Sequence, residues 1–285
     1  MAVAALASLP FVVIAVSAGQ LPPPWLELAD VALGPDDPTL APIITTLEDH
    51  PVATTTLALL LRGQSRRTVA DGLVAESAAY SVLQSGPEFA RWRAARPVRP
   101  PGQSGPRVRV EREAACLRVT LTRPDRRNAL DAQMRDELLE GLGVAEADPS
   151  ITTVEMRGDG PSFSAGGDLD EFGSRPDPAS AHLIRLHRSV ARAMADLGQR
   201  TTVVLHGAAV GSGIELAAFA GTVLAQADTQ IALPEIALGL IPGAGGTVSL
   251  PLRIGRHRTA WLALSGHTIG AATALEWGLV DRLID

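Results

Sequence analysis

The chain has 285 residues, 46% of them hydrophobic and 4% aromatic, with a formal charge of −6. It is long enough for one large domain or two smaller ones, and its acidic balance argues against a general nucleic-acid binder. The lone Cys116 excludes an internal disulfide framework or a cysteine metal cluster and fits a reducing compartment; all 25 basic residues are arginine, which excludes lysine Schiff-base or general-base chemistry.

In chain order, residues 1–19 are apolar and end in Val16-Ser17-Ala18, a signal-peptidase-like sequence. No Lys or Arg precedes Arg62, however, and Pro10 interrupts the run, so a buried strand over 9–16 is expected rather than an export signal or a span. Apolar residues every three or four positions predict helices over 52–61 and 68–83, ended by Gly63 and by Gly86-Pro87. Four prolines and two glycines in residues 96–106 predict a linker, dividing a mostly helical region 1–100 from an α/β core 107–285. Past it, strands are expected at 107–110 and 116–122, and a helix capped by Asn128 runs to about residue 147. Alternation follows: strand 151–157, helix 181–197, strand 202–205, helix 213–220, strands 222–226 and 230–233, helices 256–264 and 271–277. Strand, crossover and strand repeated in this way imply a mostly parallel sheet covered by helices.

Three glycine-rich runs carry the chemistry: Ser162-Phe163-Ser164-Ala165-Gly166-Gly167-Asp168-Leu169, Gly211-Ser212-Gly213-Ile214-Glu215-Leu216, and the stretch from Leu233-Pro234-Glu235 to Gly246. The first two read as strand-to-helix turns with free amides at helix N-termini, able to converge on a developing negative oxygen. Glu215 and Glu235 sit in apolar surroundings, where an unpartnered carboxylate is costly, and so point to acid–base work. The plainer alternatives are tight turns alone, a macrodipole charge for Glu215 and a salt bridge with an arginine for Glu235.

Residues 107–285 resemble the crotonase superfamily of enoyl-CoA hydratases and isomerases. The resemblance rests on those runs together with Leu121-Thr122-Arg123-Pro124-Asp125-Arg126-Arg127-Asn128-Ala129-Leu130, His206-Gly207-Ala208-Ala209-Val210 and Ala274-Leu275-Glu276-Trp277-Gly278-Leu279-Val280-Asp281. It implies a spiral of ββα units with a mostly parallel sheet. It implies an oxyanion hole from the Gly167 and Ser212 amides, with Glu215 activating water toward C3 of a trans-2-enoyl-CoA and Glu235 protonating C2. Arg123, Arg126 and Arg127 become expected CoA phosphate contacts, and Ala165, with Asp168 and Leu169 beside it, the expected contact at the adenine end. No metal and no separate cofactor are expected, since CoA is part of the substrate. The partners implied are acyl-CoA and copies of the chain in a trimer or hexamer, without nucleic acid or membrane, in the cytoplasm. Isomerisation, thioester hydrolysis and a non-catalytic acyl-CoA-binding or assembly role remain as alternatives.

Two departures stand out. Ser212 replaces the family's usual glycine, narrowing the pocket or adding a hydroxyl to it, and His206 replaces a commoner asparagine and reads as structural. The chain also lacks, after Val280, the family's C-terminal helical layer, whereas residues 50–89, ending in Gly86-Pro87-Glu88-Phe89, resemble that layer. A circular permutation is the expectation, with an unrelated helical appendage as the alternative. Acyl-chain selection is expected to depend on residues 50–95 and on the segment 173–179.

Overall fold

The computed structural model describes residues 9–97, 105–174 and 177–285. Residues 1–8, most of the expected linker (98–104), and residues 175 and 176 of the 173–179 segment lie outside the described residues.

The first described part opens with a short parallel pair, β1 (Ile14–Val16) and β2 (Val31–Leu33), joined by α1 (Pro23–Leu28). The expected strand over 9–16 thus shrinks to its last three residues. Four helices follow: α2 (Leu40–Asp49), α3 (Pro51–Arg62), α4 (Val69–Gln84) and α5 (Pro87–Ala95). Gly63 caps α3 as expected, whereas Gly86-Pro87 both follows α4 and opens α5, since proline suits a first helical turn. The start of α3 is capped from a distance: the Glu88 carboxylate accepts from the Val52 amide at 2.8 Å and the Ala53 amide at 3.1 Å. At α4 the Thr68 hydroxyl accepts from the Asp71 amide.

The core adds β3 (Val108–Glu113), β4 (Cys116–Leu121), α6 (Ala132–Ala147), β5 (Thr153–Gly158), α7 (Pro178–His187), α8 (Val190–Leu197), β6 (Thr201–Leu205), β7 (Ala208–Val210), α9 (Ser212–Ala217), β8 (Thr222–Gln226), β9 (Gln230–Ala232), α10 (Gly246–Ser265), β10 (Ile269–Gly270), α11 (Ala271–Trp277) and β11 (Arg282–Ile284). A six-stranded sheet runs β11-β8-β6-β5-β4-β3 and is parallel except at the β3–β4 edge. A smaller sheet, β10-β9-β7, carries the site loops, with β7 parallel to β9. This is the mixed, mostly parallel α/β architecture expected.

Three local expectations are corrected. Asn128 does not cap α6: it is buried with φ +53, its Oδ1 accepts from the Arg123 amide, and its Nδ2 donates to the Asp159 and Ser162 carbonyls. Asp131 takes the cap, accepting from the Met134 amide at 2.8 Å, because the chain needs Asn128 to pin the preceding loop. The expected helix over 181–197 breaks at Arg188-Ser189, where Ser189 starts α8 afresh. The helix expected over 256–264 extends from 246 to 265 with a kink at Gly255, whose φ of +76 a side chain resists.

The N-terminal helices dock on α10. Ile43, Leu57 and Leu61 enter one core with Val248, Leu250 and Ile254, each such side chain worth about 1.5–3 kcal/mol of apolar burial. Polar ties reinforce the contact: Trp261 donates to the Thr39 hydroxyl at 3.0 Å, and buried Asp30 pairs with Arg62 at 2.5 Å and lies 3.7 Å from Arg256.

Candidate active site

The first loop follows β5. It is stitched to the core by main-chain bonds from Leu130 N to Gly166 O (2.8 Å), Asp168 N to Leu130 O (2.9 Å) and Ala165 N to Arg127 O (2.8 Å). That pattern leaves the Gly167 N–H without an acceptor among the described residues. The loop leads into turns rather than the expected helix, so peptide orientation, and not a helix terminus, presents this amide.

The second loop is stitched to the first by Ser164 N to Ala208 O (2.9 Å) and Val210 N to Ser164 O (3.0 Å). Their backbones touch: a Cβ on Gly211 would lie 3.7 Å from the Gly166 Cα and would collide with Glu235 Oε1, and the Gly211 φ is +50. Only glycine satisfies both the conformation and the approach. Ser212 begins α9, so its amide has no intrahelical acceptor. Its hydroxyl is buried with no hydrogen-bond partner.

Glu215, 2% exposed, lies in the first turn of α9. Its Oε2 accepts from the Ala244 amide at 2.7 Å and the Gly246 amide at 2.9 Å. Glu235, 8% exposed, opens a 3-10 turn after β9, and its Oε2 has no partner. Both carboxylates, Gly167 and Ser212 line one cavity of about 210 Å³. Burial pushes Glu235 up to about 8; its own amide opposes this and Glu76 adds to it. Burial, then the charges of Glu235 and Glu76, push Glu215 well above the usual carboxylate range, while the Ala244 and Gly246 amides pull it down. Two such acids in one cavity do not both ionise freely. The Ala244 and Gly246 amides favour the charged form of Glu215, whereas Glu235 Oε2 has no partner among the described residues.

The same cavity has walls that sequence reasoning missed. Tyr80 and Gln84 come from α4, with Arg185 from α7 and Phe172 from the first loop. Burial pushes the Tyr80 phenol up. Its ring packs where a side chain on Gly243 would stand, and the Arg185 guanidinium lies 4.8 Å from the ring centroid. The available signal was that Tyr80 is the only tyrosine in the chain and sits in a helix already matched to the family's missing layer.

A second cavity of about 470 Å³ is lined by Arg126, Arg127, Ala165, Asp168 and Leu169, with Arg96 from the N-terminal region. Gly167 and Asp168 border both cavities. Arg123, expected here, is not on its wall. It is 5% exposed and donates to Asp168 at 2.7 Å and the Ala129 carbonyl at 3.0 Å, with Asp131 3.2 Å away. Itself buried, and paired with buried Asp131 and half-buried Asp168, it is a tie between loops, and its pairing occupies Asp168. His206 bonds to the Gly160 carbonyl at 3.0 Å and lines neither cavity. Phe172 of the first cavity packs on Trp92, and Trp92 on Phe89, with centroids 6.3 and 5.5 Å apart.

A family model described as enoyl-CoA hydratase/isomerase matches residues 111–285. The 1,2-epoxyphenylacetyl-CoA isomerase of Escherichia coli (strain K12) is 34% identical over 61% of this chain and 68% of its own length. The 2,3-dehydroadipyl-CoA hydratase of the same organism is 36% identical over 60% and 67%. The crystal structure of enoyl-CoA hydratase from Thermoplasma volcanium GSS1 superposes with a TM-score of 0.58 at 34% identity, over 64% of this chain and 73% of that one. The chain spans about two thirds of the length of the curated relatives it matches.

Proposed function

The chain belongs to the enoyl-CoA hydratase/isomerase family, and we propose that it hydrates a trans-2-enoyl-CoA. The thioester oxygen rests between the Gly167 and Ser212 amides. Ionised Glu215 takes a proton from water as its oxygen bonds to C3; the C2=C3 electrons move into a thioester enolate held by the two amides. Glu235 then delivers its proton to C2. Each amide of such a hole is typically worth about 3 kcal/mol of barrier, and each acid–base group roughly 100- to 10,000-fold in rate.

The observation that carries this reading is the unequal setting of the two carboxylates on one cavity: Glu215 with two amide donors, Glu235 with an unpartnered oxygen. Isomerisation needs a single shuttling carboxylate, so two on one cavity in unlike hydrogen-bond settings favour hydration. The CoA phosphates are assigned to Arg126, Arg127 and Arg96, whose cavity meets the acyl cavity at Gly167. The N-terminal helix that completes the acyl wall, α4, stands in for the layer that the family carries after its core, as a circular permutation would place it.

The test is absorbance loss of crotonyl-CoA with the product identified as 3-hydroxyacyl-CoA. A wild-type protein that instead moves the double bond, or releases free CoA, overturns the hydratase reading.

A further inference from the structure

The turn at residues 243–247 is held from two sides. The amides of Ala244 and Gly246 point to Glu215, at 2.7 and 2.9 Å. Those of Gly245 and Thr247 point the other way, to Glu76 of α4, at 2.7 and 2.9 Å, and the Thr247 hydroxyl adds a third bond at 2.7 Å. Four successive N–H groups are thus divided alternately between two buried carboxylates whose positions in the chain are 139 residues apart (215 minus 76). Glu76 is 2% exposed, with its two oxygens accepting one and two donors. The mechanism above gives it no task, and a plain helix-to-helix tie does not need a third acid beside two.

We propose that Glu76 is a positioning residue for the catalytic pair: by fixing the far side of the turn it sets where Glu215 sits, and as a third buried carboxylate facing both it acts on the pair by its charge. The inference rests on the hydratase reading for its consequence in turnover, though the contact itself does not.

The geometry shows how this works. Among the described residues Glu215 Oε2 accepts only from the two turn amides, so any rotation of the peptides at 244–246 moves its carboxylate. Glu76 blocks that rotation by holding the intervening peptides. The charged and titratable groups that face it are Glu215 from α9, Glu235 from the turn after β9, Arg185 from α7, and Tyr80 from its own helix. Burial pushes Glu76 up to about 7, with the Thr247 hydroxyl, the Thr247 and Gly245 amides and the Arg185 charge opposing. Its negative charge in turn raises both Glu215 and Glu235. Removing that charge lets both give up protons at lower pH.

Glu76→Gln keeps the volume and an oxygen for Thr247 while removing the charge and one acceptor. In the full chain, kcat/KM for crotonyl-CoA hydration is measured against pH. Both limbs of the profile are expected to move to lower pH, with kcat at the optimum down about tenfold and KM within about twofold, as for a group that orients the reacting carboxylate without touching substrate. Glu76→Asp, which restores the charge, is expected to return the limbs toward wild type. A lower amplitude with unmoved limbs means a purely structural tie and overturns the proposal, as does an unaltered profile. Should Glu76→Gln fail to fold, Thr247→Val removes one donor, leaves Glu76 less charged, and moves the limbs the same way by less; unmoved limbs there also overturn it. If the wild type does not hydrate crotonyl-CoA, the hydratase reading is what has failed. Glu76 is then read by carbon-13 NMR of labelled glutamate: the Glu215 carboxyl is expected to titrate at lower pH in Glu76→Gln, and an unchanged midpoint overturns the proposal.

Discussion

Glu235→Gln is expected to abolish hydration and at the same time stabilise the protein at alkaline pH. The folded chain holds this carboxyl up to about 8, against 4.5 for an ordinary glutamate. Between those values the unfolded chain releases the proton and the folded chain keeps it, so stability falls as pH rises through the window. At about 1.4 kcal/mol for each pH unit, the loss at and above pH 8 is on the order of 4–5 kcal/mol relative to pH 4. Glutamine has nearly the shape of the protonated acid and no proton to lose, so its stability stays flat across the same range. Urea unfolding of both proteins at pH 5 and pH 8 reads the difference: near zero at the lower pH, several kcal/mol in favour of the variant at the higher. Crotonyl-CoA hydration should fall by roughly 100- to 10,000-fold, the contribution of a positioned acid. A variant less stable than wild type at pH 8, or an equal gap at both pH values, would refute the claim that Glu235 holds a proton in the folded state. Retained turnover would refute its role in catalysis.

The arginines divide into two kinds. Arg126→Gln with Arg127→Gln should raise KM for a CoA thioester about tenfold while leaving kcat and melting temperature unchanged, whereas Arg123→Gln should lower stability by about 3–5 kcal/mol because it takes the paired charge from buried Asp131 and half-buried Asp168; unchanged KM in the first, or unchanged unfolding in the second, reverses the assignment. Gly211→Ala should reduce kcat at least 100-fold, since its Cβ collides with Glu235 Oε1 and needs a φ of +50; near-normal turnover would show that the two loops do not meet as described. Expressed without residues 1–104, the remaining chain should be inactive and aggregate, and co-expression of residues 1–97 as a separate chain should restore a purifiable, active pair. Activity in residues 105–285 alone would show that Tyr80, Gln84 and Glu76 are dispensable.

Much of the site was legible because its chemistry is written locally. Gly167, Ser212 and the two glutamates fall within short runs, and the structure brings those runs to one cavity. The parallel order of the core sheet was equally readable, because strand and helix periods alternate from residue 116 onward. Arg123 was misread because a charged loop looks the same in sequence whether its guanidinium faces solvent or turns inward to Asp168; only the partner, 45 positions away, distinguishes them. Asn128 was misread for a similar reason. Asn at the head of a helix suggests a cap, but a left-handed residue whose amide bonds to Asp159 and Ser162 is decided by a loop 31 to 34 residues downstream. Glu76 was invisible because a glutamate inside a helix is ordinarily a solvated charge. Its partners, Gly245 and Thr247, are 169 and 171 residues away.

That long separation bears on how the two parts of the chain belong together. The family match begins at residue 111 and runs to the end, yet it accounts for only about two thirds of each relative. In this chain the cavity of Glu215 and Glu235 is completed by Tyr80 and Gln84, the second cavity by Arg96, and the turn under Glu215 by Glu76, all from before the match. An appendage added to a finished enzyme would find its site already walled and its buried amides already bonded. Here the core on its own would leave the Gly245 and Thr247 amides without acceptors in the interior, a loss of about 1–3 kcal/mol each. It would also open the cavity where Tyr80 lies against Gly243. Glu76, Tyr80, Gln84 and Arg96 are therefore a structural part of the two cavities and of the turn beneath Glu215.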